Sequence, residues 1–132
     1  MSIWAVVVAR VGHGAKSRLA GVLDPDQRRR LAMAMLADVL RVCTAPAAPF
    51  HGTVAVVDDP AAVRLAERHG ALAVLDGGGD MNRAASIGVH AAERLGATTV
   101  LVLPGDIPLV SPADLNALVA AADDDTDRKS VV

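Results

Sequence analysis

Apolar residues follow two alternating rhythms along the chain. Residues 3–8 (IWAVVV), 53–57 (TVAVV), 71–75 (ALAVL) and 99–103 (TVLVL) are short continuous apolar runs, the pattern of strands covered on both faces. Between them the period lengthens to that of a helix. Asp24 can cap the first helix, Pro25 suits its first turn, and Gln27 sits three residues after the cap. Leu31, Ala34, Met35, Val39 and Val42 then recur at helical spacing to about Cys43, and residues 45–49 break the pattern. Asp59 can cap a second helix running to His69, and a third runs from about Met81 to Leu95. Ser111 and Pro112 supply a cap and a first residue for a fourth, ending near Ala122. The order βαβαβαβα predicts an α/β fold in three layers, α/β/α, with a mostly parallel Rossmann-like sheet and right-handed crossovers. It fits one domain over residues 1–132. Residues 130–132 read as one more strand just starting. The expectation is therefore of a C-terminal part that is missing, an open sheet edge, and self-association such as a homodimer.

Composition narrows the class. In 132 residues, 13 Lys+Arg stand against 15 Asp+Glu, for a net charge of −2. That argues against the broad basic face of a nucleic-acid binder and against a polybasic membrane anchor. Apolar residues make up 52%, far above the disordered range. The aromatics are only Trp4 and Phe50, so the core must be packed from Val, Leu and Ala. The lone Cys43 excludes a disulfide scaffold and a multi-cysteine zinc site, and reads as a small core hydrophobe. Asp38 lies among apolar helical positions and is expected to bond locally. No signal peptide or membrane-length apolar stretch is visible, so a cytoplasmic protein is expected.

Ligands on such a sheet bind beyond the carboxyl ends of the strands, which makes the loops after the strands informative. The first carries Arg10, Gly12, His13, Gly14, Lys16 and Arg18. Its glycines let the backbone approach a ligand, and its cations suit a polyphosphate. A P-loop needs Gly where Ala15 and Arg10 stand, and the dinucleotide motif needs Gly where Ser17 stands. Phosphate binding and a solvated basic turn both remain as readings. After the fourth strand, Asp106 lies between Pro104 and Pro108. A carboxylate so restricted, across from a cationic loop, suits a Mg²⁺ ligand; the plainer role is a turn cap. Gly77, Gly78 and Gly79 precede a helix start carrying Asn82, where an anion, a base or a ribose could approach, or the glycines could simply make a turn. Asp58 could touch a sugar hydroxyl, whereas helix capping accounts for Asp59.

Several segments, taken in order, resemble the 2-phospho-L-lactate guanylyltransferase family. They are residues 15–19 (AKSRL), 34–40 (AMLADVL), 81–85 (MNRAA) and 103–109 (LPGDIPL). The family makes the guanylylated phospho-acid precursor of the deazaflavin coenzyme F-420, from GTP and 2-phospho-L-lactate or phosphoenolpyruvate. The resemblance implies the nucleotidyltransferase fold, Mg²⁺-dependent GMP transfer and release of pyrophosphate. It implies that Lys16, Arg18 and Asp106 are the catalytic set, with Asp106 on the metal. It implies nucleotide contacts from Ala9, Arg10, Gly12, Gly14, Lys16, Gly78, Gly79 and Asn82. Arg10 stands where the family usually has lysine. The family also carries an acceptor segment and a second metal-side aspartate beyond position 132. The aspartate between prolines is shared with molybdenum cofactor guanylyltransferases. Another nucleotidyltransferase, of molybdenum-cofactor or sugar-phosphate type, and a silent nucleotide-binding module are therefore the alternative readings.

Overall fold

A computed structural model describes residues 2–12, 21–77, 80–107, 111–123 and 129–131. Its elements are, in order, β1 (Ile3–Ala9), α1 (Pro25–Cys43), β2 (Gly52–Val57), α2 (Pro60–Arg68), β3 (Leu72–Leu75), α3 (Met81–Arg94), β4 (Thr99–Pro104), α4 (Pro112–Asp123) and β5 (Lys129–Val131). The four continuous apolar runs are the four longer strands, and the βα alternation is as the sequence predicts. The strands form one sheet in the order β3-β2-β1-β4-β5, and every described pair is parallel.

Strand side chains alternate between two packed layers. Ala5, Val7, Ala55, Val57, Leu101 and Leu103 meet Leu36, Val39 and Leu40 of α1, Ala62 and Ala66 of α2, and Leu115 of α4. Val6, Val8, Val54, Val56, Val100 and Val102 face the other way, against Ala84, Val89 and Ala92 of α3. Small residues permit this close layering. A Cβ at Gly88 of α3 would overlap Val6 Cγ1 and stand 3.0 Å from Val56 Cγ2. Cys43 is buried at the end of α1, where burial pushes its thiol up to about 12. It is the core hydrophobe its isolation implied. Asp38 pairs with Arg41 at 3.1 Å on the exposed face of the same helix.

The helix ends carry the expected signals. Gln27 N–H donates to Asp24 Oδ1 at 2.8 Å, and Asp24 N–H donates to Gln27 Oε1 at 3.0 Å, a complete capping box. Asp59 and Asp80 accept from Ala61 N–H and Arg83 N–H, each at 2.7 Å. At α4, Ser111 N–H donates to Asp114 Oδ2 at 3.1 Å, the reciprocal arm of a capping box. α2 and α3 each close with a left-handed glycine, Gly70 (φ 83°) and Gly96 (φ 101°). Their neighbours donate back into the last turn, Ala71 N–H to Ala66 O and Ala97 N–H to Ala92 O, each at 3.0 Å.

Candidate nucleotide site at the carboxyl ends of β1 and β4

The chain steps from β1 through α1 to β2 and through α2 to β3, with both helices packed on one face. α3 then crosses the opposite face and returns to β4, on the other side of β1. The strand order therefore reverses between β1 and β4, and the crevice beyond their carboxyl ends is where such sheets bind ligands.

Three segments converge there. The first is the end of β1: Ala9 is buried, Arg10 is exposed, Val11 is fully buried and Gly12 is half-buried. The second follows β4. Gly105 N–H donates to Val8 O at 2.8 Å, and a Cβ at Gly105 would stand 2.5 Å from Ala9 Cβ. Glycine thus lets the β4 loop turn hard against β1, which sets exposed Asp106 next to the end of β1. The third is the first turn of α3. Met81 and Asn82 there line a cleft of about 190 Å³ with Val8, Ala85, Val102, Leu103 and Pro104. A narrower recess of about 10 Å³ adjoins it, sharing Val8 and Met81 and lined also by Arg10, Asp58 and Asp76. The larger cleft is walled by apolar side chains together with the carboxamide of Asn82, the mainly apolar lining with a few polar groups common in small-molecule sites.

Among the expected site residues, Ala9, Arg10, Gly12, Asn82 and Asp106 are brought to this one edge of the sheet. Arg10 and Asn82 line the two adjoining recesses rather than the same one. Gly14, Lys16, Arg18, Gly78 and Gly79 lie outside the described residues. Among the described residues no group of three or more His, Cys, Asp or Glu is arranged to hold a metal ion.

Two acids matter more here than the sequence reading allowed. Asp58 Oδ1 accepts from Val11 N–H at 2.8 Å and Gly12 N–H at 3.1 Å, so the carboxylate after β2 holds the loop after β1. Asp76, the residue after β3, donates its N–H to Val57 O at 2.8 Å. Its carboxylate, 10% exposed, lies 4.0 Å from Arg83 Nη2. Both occupy the carboxyl-end position of a strand, and that placement was the available signal for them. Asp59 binds α1 to α2: Arg29 Nη2 donates to its carboxylate at 3.1 Å. Burial pushes the Asp59 carboxyl up, but the Ala61 N–H, the Arg29 hydrogen bond and the charges of Arg29 and Arg64 more than offset this and hold it below the ordinary value.

A family model described as guanylyl transferase CofC like matches residues 4–127. A phosphoenolpyruvate guanylyltransferase of Conexibacter woesei is 42% identical over 120 residues, covering 90% of this chain and 53% of its own length. Those of Sphaerobacter thermophilus and Rubrobacter xylanophilus are 38% and 39% identical, each covering 92% of this chain and 58% of its own. The chain thus spans about half the length of the curated relatives it matches. Among solved structures, CMP:2-keto-3-deoxy-manno-octonic acid synthetase complexed with CTP superposes with a TM-score of 0.62 at 21% identity, over 95% of this chain and 48% of that one. That likeness is one of fold.

Proposed function

Because the chain belongs to the CofC-like guanylyl transferase family, we propose that it binds GTP and serves transfer of GMP to a small phospho-acid, phosphoenolpyruvate or 2-phospho-L-lactate, with pyrophosphate released. The observation that carries this reading is the 42% identity to a phosphoenolpyruvate guanylyltransferase over 90% of the chain. The site supports it by position, since Asn82 of segment 81–85 and Leu103 and Pro104 of segment 103–109 line the crevice where the strand order reverses. In this reading the protein works in the cytoplasm. Among the described residues, no helix is long and apolar enough to cross a membrane. A homodimer belongs to the same reading, and the exposed Leu72 and Leu75 of the outer strand β3 offer it apolar surface. Sedimentation velocity checks that assembly, which a monomer would refute.

In this reading Lys16, Arg18 and Arg10 neutralise the triphosphate, and the nucleoside enters the apolar cleft beside Asn82. The α3 N-terminus suits a nucleoside better than a phosphate, because Asp80 already sets a carboxylate on its Arg83 N–H. An oxygen of the acceptor phosphate attacks the α-phosphorus of GTP, a new P–O bond forms, and the bond to pyrophosphate breaks. Positioning and charge neutralisation, rather than proton transfer, carry such a step.

Mg²⁺ fits the residues present. It is held in phosphoryl-transfer sites by one or two carboxylates together with substrate phosphates and water, not by an all-protein cage. Asp106 would supply that carboxylate, a hard oxygen on a loop pinned to β1. When bound with nucleotide, the ion neutralises phosphate charge. Titration calorimetry of the chain with the Mg²⁺ complexes of GTP, ATP, CTP and UTP tests the reading. GTP is expected to bind most tightly, and equal or absent binding of GTP would refute it. Pyrophosphate release with each phospho-acid then tests turnover.

A further inference from the structure

We propose that Asp58 is a positioning residue for the nucleotide loop: its carboxylate fixes the path by which the chain leaves β1, and thereby sets affinity for the nucleoside triphosphate. The inference rests on the GTP-binding reading above and assigns a role to a residue outside the family-like segments.

The geometry is specific. Ala9 and Val57 are register partners at the ends of β1 and β2, so Asp58 is the first residue past the sheet on its strand. The chain leaving β1 passes over it, and both Val11 N–H and Gly12 N–H point at one oxygen, Oδ1. A Cβ at Gly12 would stand 3.4 Å from Oδ2, so the loop lies directly on the carboxylate. Val11 is fully buried. Without Asp58 its N–H would lose this partner in the interior, where an unpaired backbone donor is strongly disfavoured. The two amides are also committed to Asp58, so in this arrangement neither serves a phosphate.

The adjacent Asp59 holds the other end of the same connection. It binds Arg29 of α1, the helix that the loop feeds through its Asp24 cap. Two consecutive carboxylates on β2's exit thus grip both ends of the segment carrying the candidate phosphate cations. Asp59 also caps α2 and so bears on the stability of two helices. Among the described residues Asp58 accepts from Val11 N–H and Gly12 N–H, both on the chain leaving β1, so its loss should act chiefly on that segment and on ligand affinity.

The experiment compares wild type, Asp58→Ala and Asp58→Asn. Calorimetry with Mg-GTP, thermal melting and amide hydrogen exchange are read on each. Asp58→Ala is expected to raise the GTP dissociation constant tenfold or more, to lower the melting temperature by a few degrees because Val11 N–H loses its buried partner, and to speed exchange at Val11 and Gly12. Asp58→Asn keeps an acceptor oxygen and should restore affinity to within about threefold, since what the loop requires is an acceptor for two N–H groups. Unchanged GTP affinity in Asp58→Ala, or equal losses in both variants, would overturn the proposal. If wild type itself binds no Mg-GTP, the functional reading fails separately. The exchange data then decide the anchoring alone: faster exchange confined to Val11 and Gly12 upholds it, and unchanged exchange refutes it.

Discussion

In the proposed function, Asp106 and the loop cations divide the residue-scale work between a metal and the phosphates. Asp106 sits on an exposed turn, so Asp106→Asn should shift stability by no more than about 1.5 kcal/mol, the net worth of one hydrogen bond. It should instead remove the dependence of GTP affinity on added Mg²⁺, measured by calorimetry with and without the ion. Retention of that dependence would move the metal elsewhere. Lys16→Ala or Arg18→Ala should each weaken GTP binding by about 1.5–3 kcal/mol, the worth of a hydrogen bond to a charged group; an unchanged dissociation constant would remove that residue from the site. The place of Asp106 just beyond β4 was legible in the sequence because prolines bracket it after an apolar run. Asp58 was not. Its neighbour Asp59 satisfies a capping rule so fully that the dipeptide reads as a helix start, and the partners of Asp58 lie 46 and 47 positions away. No local pattern announces a bond of that span.

At the scale of elements, short-range signals proved dependable. The Asp24–Gln27 box, the Asp59 cap and the apolar strands all stand where the sequence predicts them. The close approach of α3 to the sheet was not legible, because Gly88 looks like an ordinary weak helix residue until Val6 is found beneath it. Gly88→Ala would gain helix propensity yet force α3 outward, and overpacking of this kind typically costs about 1–3 kcal/mol. A melting temperature at or above wild type would show that the layer yields. Asp59→Ala removes the cap of α2 and its bond to α1, so a loss near the upper end of the usual 0.5–2 kcal/mol is expected. That difference should depend on pH. The Asp59 carboxyl is held below its ordinary value in the fold, so its contribution is full above the unfolded value of about 3.9 and fades as pH falls through the folded one. Melts of wild type and Asp59→Ala should therefore converge in acid; a gap constant down to pH 2 would contradict this assignment.

For the whole molecule, the order β3-β2-β1-β4-β5 brings the ends of β1 and β4 and the first turn of α3 to one edge of the sheet. The α/β class was legible from the alternating periods. Which strands adjoin was not, because the side of β1 on which β4 lands depends on α3 taking the opposite face from α1 and α2. That choice is made by long-range packing of Val6, Val54 and Val100 under α3. The single thiol gives a way to test binding and folding together. Cys43 is buried in the layer shared by α1, α2 and α4, and burial pushes it up to about 12. Little thiolate is then present in the native state at neutral pH, and reagents should reach the sulfur only when the domain opens. When closing outpaces labelling, the rate follows the population of that open state. A ligand held only by the folded chain lowers this population by a factor of one plus its concentration over the dissociation constant. Labelling by a disulfide reagent should therefore be slow, and Mg-GTP at ten times its dissociation constant should slow it about elevenfold. Slowing by GTP but not by CTP at equal concentration would tie the nucleotide preference to the fold as a unit. Fast labelling without nucleotide would mean that α1 opens independently of the sheet, and the anchoring of its N-terminal half by Arg29 and Asp59 would not extend to its end at Cys43.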